Sequence, residues 1–160
     1  MDAKQIVVRF ATPQDCEAIV AMARELAAAV EDPPPPIDVA RLLGAAFGPE
    51  RWCDCLVAEQ ASARVGYAVV CRGFEAHTGE RRLWLADLFV GAGARMGGVG
   101  RALIGAVASH ALAQGCALVC LDLWRPNEVG KAFYDALGAK EAGDIAQLRL
   151  GRERLVALAR

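Results

Sequence analysis

Residues 83–112 carry the pattern that most narrows the choice of fold: an apolar segment, a turn with five glycines, and a second apolar segment of different period. Residues 83–90, LWLADLFV, are hydrophobic almost throughout, as expected of a central strand in a sheet covered on both faces. Residues 91–100, GAGARMGGVG, interrupt that run, and from residue 101 the apolar positions recur at helical spacing. A strand, a glycine-rich turn and a helix N-terminus in that order make an anion site. Glycine lets the backbone approach closely, several N–H groups point outward, and the helix dipole favours negative charge. Arg95 and Arg101 flank the turn and add charge-assisted contacts, so a phosphate-bearing ligand is expected there.

The rest of the chain supplies a sheet for that unit to join. Residues 4–10, KQIVVRF, read as a first strand. Thr12 as N-cap, Pro13 and Asp15 then form a capping-box-like helix start, followed by apolar residues at helical spacing as far as Val30. Pro33 to Pro36 stop the helix and read as a stiff spacer rather than a recognition ligand. Asp38 caps a short second helix that ends at Gly48-Pro49. Residues 54–59 and 65–71 read as a hairpin, and residues 73–82 as a polar loop carrying Glu75 and His77. Past the glycine turn and its helix come Gly115 as terminator, a strand at 117–123, a helix from Asn127 to Gly138, a last short strand at 147–150 and a terminal helical turn at 152–159. That order predicts an α/β fold, a mixed sheet with helices on both faces, in a single domain over residues 1–160.

Composition closes off several classes. With 55% hydrophobic and 23% charged residues in 160, the chain has material for a core and is not intrinsically disordered. Eighteen basic residues against nineteen acidic show no excess for nucleic acid. The first ten residues lack a signal-peptide pattern, and the apolar stretch at 103–112 is interrupted by Ser109 and His110, so no membrane partner and a soluble protein are expected. Six cysteines without an export signal argue for reduced thiols in a cytoplasmic setting. The spacings of Cys53/Cys55 and Cys116/Cys120 fit no zinc pattern, and His77 and His110 have no partner at ligand spacing; core packing and no metal is the reading.

Among phosphate binders, a dinucleotide fold needs its glycines after the first strand, and here Leu103 stands where the third small residue belongs, although Asp122 lies at a suitable distance for a ribose. A P-loop is excluded because no Gly-Lys-Ser/Thr follows. Arg95-Met96-Gly97-Gly98-Val99-Gly100 instead resembles the R/Q-x-x-G-x-G/A signature of the GCN5-related N-acetyltransferases. Asn127 with Phe133-Tyr134 seven residues on, and the opening Arg9-Phe10-Ala11-Thr12-Pro13-Gln14-Asp15, resemble that family too, so that the likeness spans nearly the whole chain. Residues 55–59, 66–68, 87–90 and 147–150 look like the diamine and thialysine N-acetyltransferase branch, whose Glu-Asp at the end of the fourth strand is Ala86-Asp87 here.

The resemblance implies acetyl-coenzyme A as co-substrate and direct attack by a primary amine in a ternary complex, the acceptor being a diamine or polyamine, a lysine-like amino acid or an amine-bearing antibiotic. It implies that residues 95–100 with Arg101 cradle the pyrophosphate, that main-chain groups of Leu88, Phe89 and Val90 meet the pantetheine, with a backbone N–H near Leu88 or Phe89 as oxyanion donor, and that Asn127 and Gly130 serve the coenzyme side. Tyr134 is then the acid that protonates the leaving thiolate. In the branch, the Glu replaced by Ala86 binds or deprotonates the amine. Asp87 is the surviving carboxylate, although strand alternation turns it to the face opposite Ala86 and suggests a structural hydrogen bond. Glu75 and His77 are alternative relays, a water chain is another, and Glu31, Asp32 and Asp144 offer charge to a cationic substrate. A homodimer built on the C-terminal strand and tail is also implied. The competing class is a non-catalytic acyl-coenzyme A-binding module that kept the phosphate loop and lost the base.

Overall fold

The computed structural model describes residues 5–143 and 146–159, so Lys4, placed in the first strand above, and Asp144 lie outside the described residues. The chain divides into two compact units, Met1–Trp124 and Arg125–Arg160. The first holds strands β1 (Ile6–Phe10), β2 (Asp54–Gln60), β3 (Ala63–Glu75), β4 (Glu80–Val90) and β5 (Leu118–Leu121), with helices α1 (Cys16–Ala29), α2 (Val39–Phe47) and α3 (Val99–Ala113). The five strands lie in sequence order, antiparallel from β1 to β4, with β5 parallel to β4. The parallel step follows from the α3 crossover, which returns the chain to the starting end of β4.

Side-chain alternation sorts the core into two layers. Cys55, Val57, Tyr67 and Phe89 pack under Cys16, Ile19, Val20 and Met22 of α1 and Leu42 and Ala46 of α2. The opposite parity faces α3: a Cβ on Gly66 would come within 3.2 Å of Leu103 Cδ1 and 3.4 Å of Val99 Cγ1, so helix and sheet touch where the strand has no side chain. Val99, Leu103 and Val107 are fully buried on that layer.

The capping box at the head of the first helical segment closes as the sequence predicts, and it does more than cap. Asp15 is fully buried. Its Oδ2 accepts from the Thr12 N–H at 2.8 Å, the Thr12 hydroxyl at 2.9 Å and Arg9 Nη1 at 2.7 Å, and its Oδ1 from Arg64 Nε at 2.9 Å and Arg9 Nη2 at 3.0 Å. One carboxylate therefore ties the start of α1 to β1 and β3. The Arg9 guanidinium holds that carboxyl well below the usual range, with the Thr12 and Arg64 hydrogen bonds adding to it.

Two sequence expectations are corrected. Residues 73–82 are not a polar loop: β3 runs to Glu75 and β4 begins at Glu80, joined by a short turn. The ladder continues through Gly73↔Arg82, Phe74↔Arg81 and Glu75↔Glu80, and an ion pair between Arg82 and Glu75 supports it despite the polar composition. The strand expected at 147–150 is also absent. A strand exists only through its ladder, and here the Arg149 guanidinium folds onto Gln147 Oε1 at 2.7 and 2.9 Å while Leu148 and Leu150 stand 92% and 61% exposed. The second unit consists of α4 (Glu128–Ala136), α5 (Arg152–Leu158) and the segments joining them.

Asp15→Asn removes one of the two carboxylates that Arg9 and Arg64 share, leaving them Glu59. Because Arg9 and Arg64 keep 32% and 35% of their side-chain surface exposed, the expected loss is about 2 kcal/mol rather than that of a fully enclosed pair, read from urea unfolding at pH 7. The Asp15 carboxyl titrates lower in the folded chain than its unfolded value near 3.9, so its contribution is complete above about pH 4 and falls away as the pH drops below that. The variant's stability curve should be flatter than the wild type's in that acidic range; a parallel curve would contradict the assignment.

Candidate active site

The β3–β4 ladder changes phase once. Val69 pairs with Asp87 and Val70 with Leu85, so Ala86 is an extra residue in β4, a bulge. On the other side of β4, pairing with β5 runs from Arg82↔Leu118 to Leu85↔Leu121 and ends there. From Ala86 to Val90, β4 thus pairs among the described residues with β3 alone, and no strand lies along its other edge. The Gly91 N–H donates to Val65 O at 2.9 Å, so Gly91 is a residue whose main chain faces β3. Stepping back by two, Phe89 and Asp87 face β3 as well, while Leu88 and Val90 turn their main-chain groups to the open edge. Val90 O accepts Arg95 Nε there at 3.0 Å. Of Leu88 and Phe89, ladder parity leaves the Leu88 N–H on the open edge.

The glycine turn follows at once. After a single short turn at Ala92–Ala94 the chain passes through Met96 at φ 59° and Gly98 at φ 86°, both left-handed, and enters α3 at Val99. The first intrahelical bond is from Ala102 N to Gly98 O at 3.0 Å, so the N–H groups of Val99, Gly100 and Arg101 have no acceptor within the helix. Met96 is fully exposed, and Gly97, Gly98 and Arg101 are exposed around these donors. Arg95 stacks over Phe89, 5.8 Å from its ring centroid, and with Nε committed to Val90 it keeps both terminal nitrogens for a ligand. Three convergent N–H groups, a helix dipole and two guanidinium groups suit a diphosphate.

In the second unit, Asn127 Oδ1 accepts the Gly130 N–H at 2.8 Å and caps α4. Phe133 and Tyr134 pack edge to face at 5.1 Å. Tyr134 is half-buried, and burial pushes its hydroxyl up to about 12, so it stays protonated at any neutral pH. A phenol held in its acid form is able to donate to a thiolate.

Comparison with known proteins agrees with this geometry. The acetyltransferase (GNAT) family matches residues 19–139. The chain belongs to that family. It is an acetyl-coenzyme A-dependent N-acetyltransferase. It is 32% identical over 145 residues to a thialysine N-epsilon-acetyltransferase of Sus scrofa, covering 85% of each chain, and 31% identical over the same length and shares to the Bos taurus protein of that name. Among solved structures, an integron cassette protein from the mobile metagenome of V. cholerae superposes with a TM-score of 0.80 at 21% identity over 97% of this chain and 98% of that one, a likeness of fold.

Within this acetyltransferase the acidic candidates separate. Asp87 lies on the α1/α2 face of the sheet, beside the bulge, and the fully buried Tyr67 hydroxyl donates to its Oδ2 at 3.4 Å. Burial raises the Asp87 carboxyl above its ordinary value, and the Tyr67 hydrogen bond opposes that rise. Glu75 and His77 belong to the far end of the β3–β4 hairpin: Glu75 pairs with Glu80, six residues from Ala86, or about 20 Å along the strand. The structure therefore does not bring them to the bulge. His77 is 75% exposed with Nδ1 3.9 Å from Glu75 Oε1, and Glu31 is exposed just after α1 at φ 59°. Tyr67 was not singled out from the sequence; the phenol within 65–71 was visible, but its pairing with Asp87 depends on the register after the bulge. Among the described residues no cluster of three or more His, Cys, Asp or Glu side chains is placed to hold a metal ion, and no helix is long and apolar enough to cross a membrane.

Tyr67→Phe removes the contact that stabilises the Asp87 carboxylate, so the Asp87 pKa should move up further. Carbon-detected NMR titration of its carboxyl checks this; an unchanged or lowered midpoint would show that burial alone sets the value.

Proposed function

We propose that this acetyltransferase moves the acetyl group of acetyl-coenzyme A to a primary amine of a small molecule, in a ternary complex and without an acetylated enzyme intermediate. The observation that carries the reading is the open edge of β4 at Leu88–Val90 running directly into the glycine turn and the free N–H groups of α3. That sequence of features offers a linear cofactor a peptide-like edge for its pantetheine and an anion cradle for its diphosphate, in the order a coenzyme A chain presents them.

Each role then has a physical basis. The donors of Gly97, Gly98, Val99, Gly100 and Arg101, the Met96 turn and the Arg95 guanidinium take the pyrophosphate; Leu88, Phe89 and Val90 line the pantetheine. The Leu88 N–H meets the thioester oxygen as negative charge develops on it. Asn127 and Gly130 serve the coenzyme side, and Tyr134 gives its proton to the departing sulfur. Deprotonation of the ammonium falls to water, with Asp87 as the carboxylate beside the bulge, because Ala86 carries no acid. Burial of Asp87 supports this, since a raised carboxyl accepts a proton more readily near neutral pH.

The thialysine acetyltransferase relatives support an acceptor with an amine on a flexible aliphatic chain, which includes diamines, polyamines, lysine-like amino acids and amine-bearing antibiotics. For a substrate with a second cationic group, Glu31, Glu75 and His77 are the outlying acceptors. Residues 1–160 act as one catalytic domain, in the cytoplasm, as a homodimer.

The test is release of free thiol from acetyl-coenzyme A in the presence of an amine panel. Acceleration by primary alkyl amines is expected; a panel that leaves thiol release at the hydrolytic background would overturn the reading. Tyr134→Phe should lower kcat about 100-fold with little change in KM for acetyl-coenzyme A, and equal turnover would remove Tyr134 from the acid role.

A further inference from the structure

Apart from the acetyl-transfer machinery, Cys16, Cys53, Cys55 and Cys71 gather on the α1/α2 side of the sheet, all as free thiols. The ladder ends beside two of them. The last pair between β2 and β3 is Asp54↔Val70, and Cys53 and Cys71 are the residues that flank it, Cys53 just before β2 and Cys71 within β3. Cys55 O accepts the Ala11 N–H at 2.8 Å, so the main chain of Cys55 faces β1 and not β3. By the same alternation the main chain of Cys53 faces away from β3. Partners in an antiparallel ladder keep their Cα atoms about 4.5–5.5 Å apart, and Cys53 and Cys71 lie one residue beyond such a pair. That places them close to the roughly 4.4–6.8 Å that a disulfide spans. Cys53, just before β2, and Cys55 within it are two apart, which in an extended chain means about 6.6 Å with parallel Cβ directions and suits a hydrogen bond rather than a covalent bridge.

The environment adds reactivity and access. Cys53 and Cys71 are each only partly buried, whereas Cys55 and Cys16 are buried. A surface cleft lined by Arg51, Trp52, Cys53, Asp54, Val70 and Arg72 reaches Cys53 from solvent. A hydrogen bond from Cys55, with the Arg51 charge assisting, pulls the Cys53 thiol down to about 7, while burial pushes the Cys71 thiol up, and Cys53 is among the charges acting on it. The pair thus consists of one accessible thiol that ionises more readily than an ordinary cysteine and one that burial disfavours from ionising.

We propose that Cys53 and Cys71 are a site of reversible oxidation, converted by a low-molecular-weight disulfide into a cross-strand disulfide between β2 and β3. The Cys53 thiolate attacks one sulfur of the reagent, whose S–S bond breaks; the expelled thiolate takes up the proton Cys53 gave to solvent. Cys71 then attacks Cys53 Sγ in the mixed disulfide, loses its proton, and expels the second reagent thiolate. Two protein thiols are oxidised, and one reagent disulfide is reduced to two thiols.

The test uses the folded full chain treated with glutathione disulfide, alkylated, and digested with trypsin without reduction. Cleavage after Arg51, Arg64 and Arg72 leaves Cys53 and Cys55 in peptide 52–64 and Cys71 in peptide 65–72. The expected product is a 52–64/65–72 cross-link with one alkylated cysteine, reversed by dithiothreitol, retained in Cys55→Ala and lost in Cys53→Ser and Cys71→Ser. A 52–64 peptide lighter by two hydrogens, a lasting glutathione adduct on Cys53 with Cys71 alkylated, or full alkylation of all three would each overturn it, and mapping of the wild type alone distinguishes these outcomes.

Discussion

One inserted residue in β4 governs what the sheet can do. A regular strand satisfies its main-chain groups on both sides and leaves nothing for a ligand. At Ala86 the β3–β4 ladder slips by one residue, and beyond Leu85 the β5 ladder has ended. The slip turns Leu88 and Val90 toward an edge with no strand beside it, and makes polar main-chain groups available within an otherwise apolar strand. An unpaired strand edge invites aggregation, and here the exposed length is short, ending at Gly91 where the chain turns into the glycine loop. The same opening that would be a liability in a structural sheet is an edge of the kind an extended ligand can pair with.

The remainder of the first unit keeps that edge in place. Gly66 lets Val99 and Leu103 press α3 against the sheet opposite Val90, so the first turn of the helix is fixed relative to the end of β4. Asp15 joins three backbone segments through Arg9, Arg64 and Thr12, anchoring α1 to the strands it covers. Tyr67 and Phe89 fill the α1/α2 side beneath the bulge, and Tyr67 reaches from that layer to Asp87. Ala86 carries no acid, and the register that opens the edge is a property of the backbone there and not of that side chain.

Much of this was legible in the sequence because the signals were local. Thr12-Pro13-Gln14-Asp15, Asp38 and Asn127 mark helix starts by chemistry that operates within three residues, and each helix begins where those residues stand. The glycine turn was legible for the same reason: Gly98 occupies a left-handed conformation that few residues tolerate. What escaped was set by pairing across the sheet. The bulge at Ala86 is hidden because residues 83–90, Asp87 apart, are apolar on both faces, so a change of phase leaves little trace in hydropathy. The extension of the β3–β4 hairpin through Phe74 and Arg81 was masked by charged side chains whose backbones are nonetheless laddered. The segment 147–150 erred the other way, since its alternation looks like a strand and supplies no partner. Cys53 and Cys71, eighteen residues apart in sequence, become neighbours only through the register of β2 and β3.

The central claim is that the main chain of the opened β4 edge and the first turn of α3 receive one extended ligand. Amide chemical-shift mapping of the isotope-labelled chain titrated with acetyl-coenzyme A tests it directly. The account predicts the largest shifts at the N–H groups of Leu88, Val90, Val99, Gly100 and Arg101, with Asp87 and Phe89, whose amides are committed to β3, moving much less. Saturable binding that shifts the α3 amides but leaves Leu88 and Val90 unmoved would contradict it.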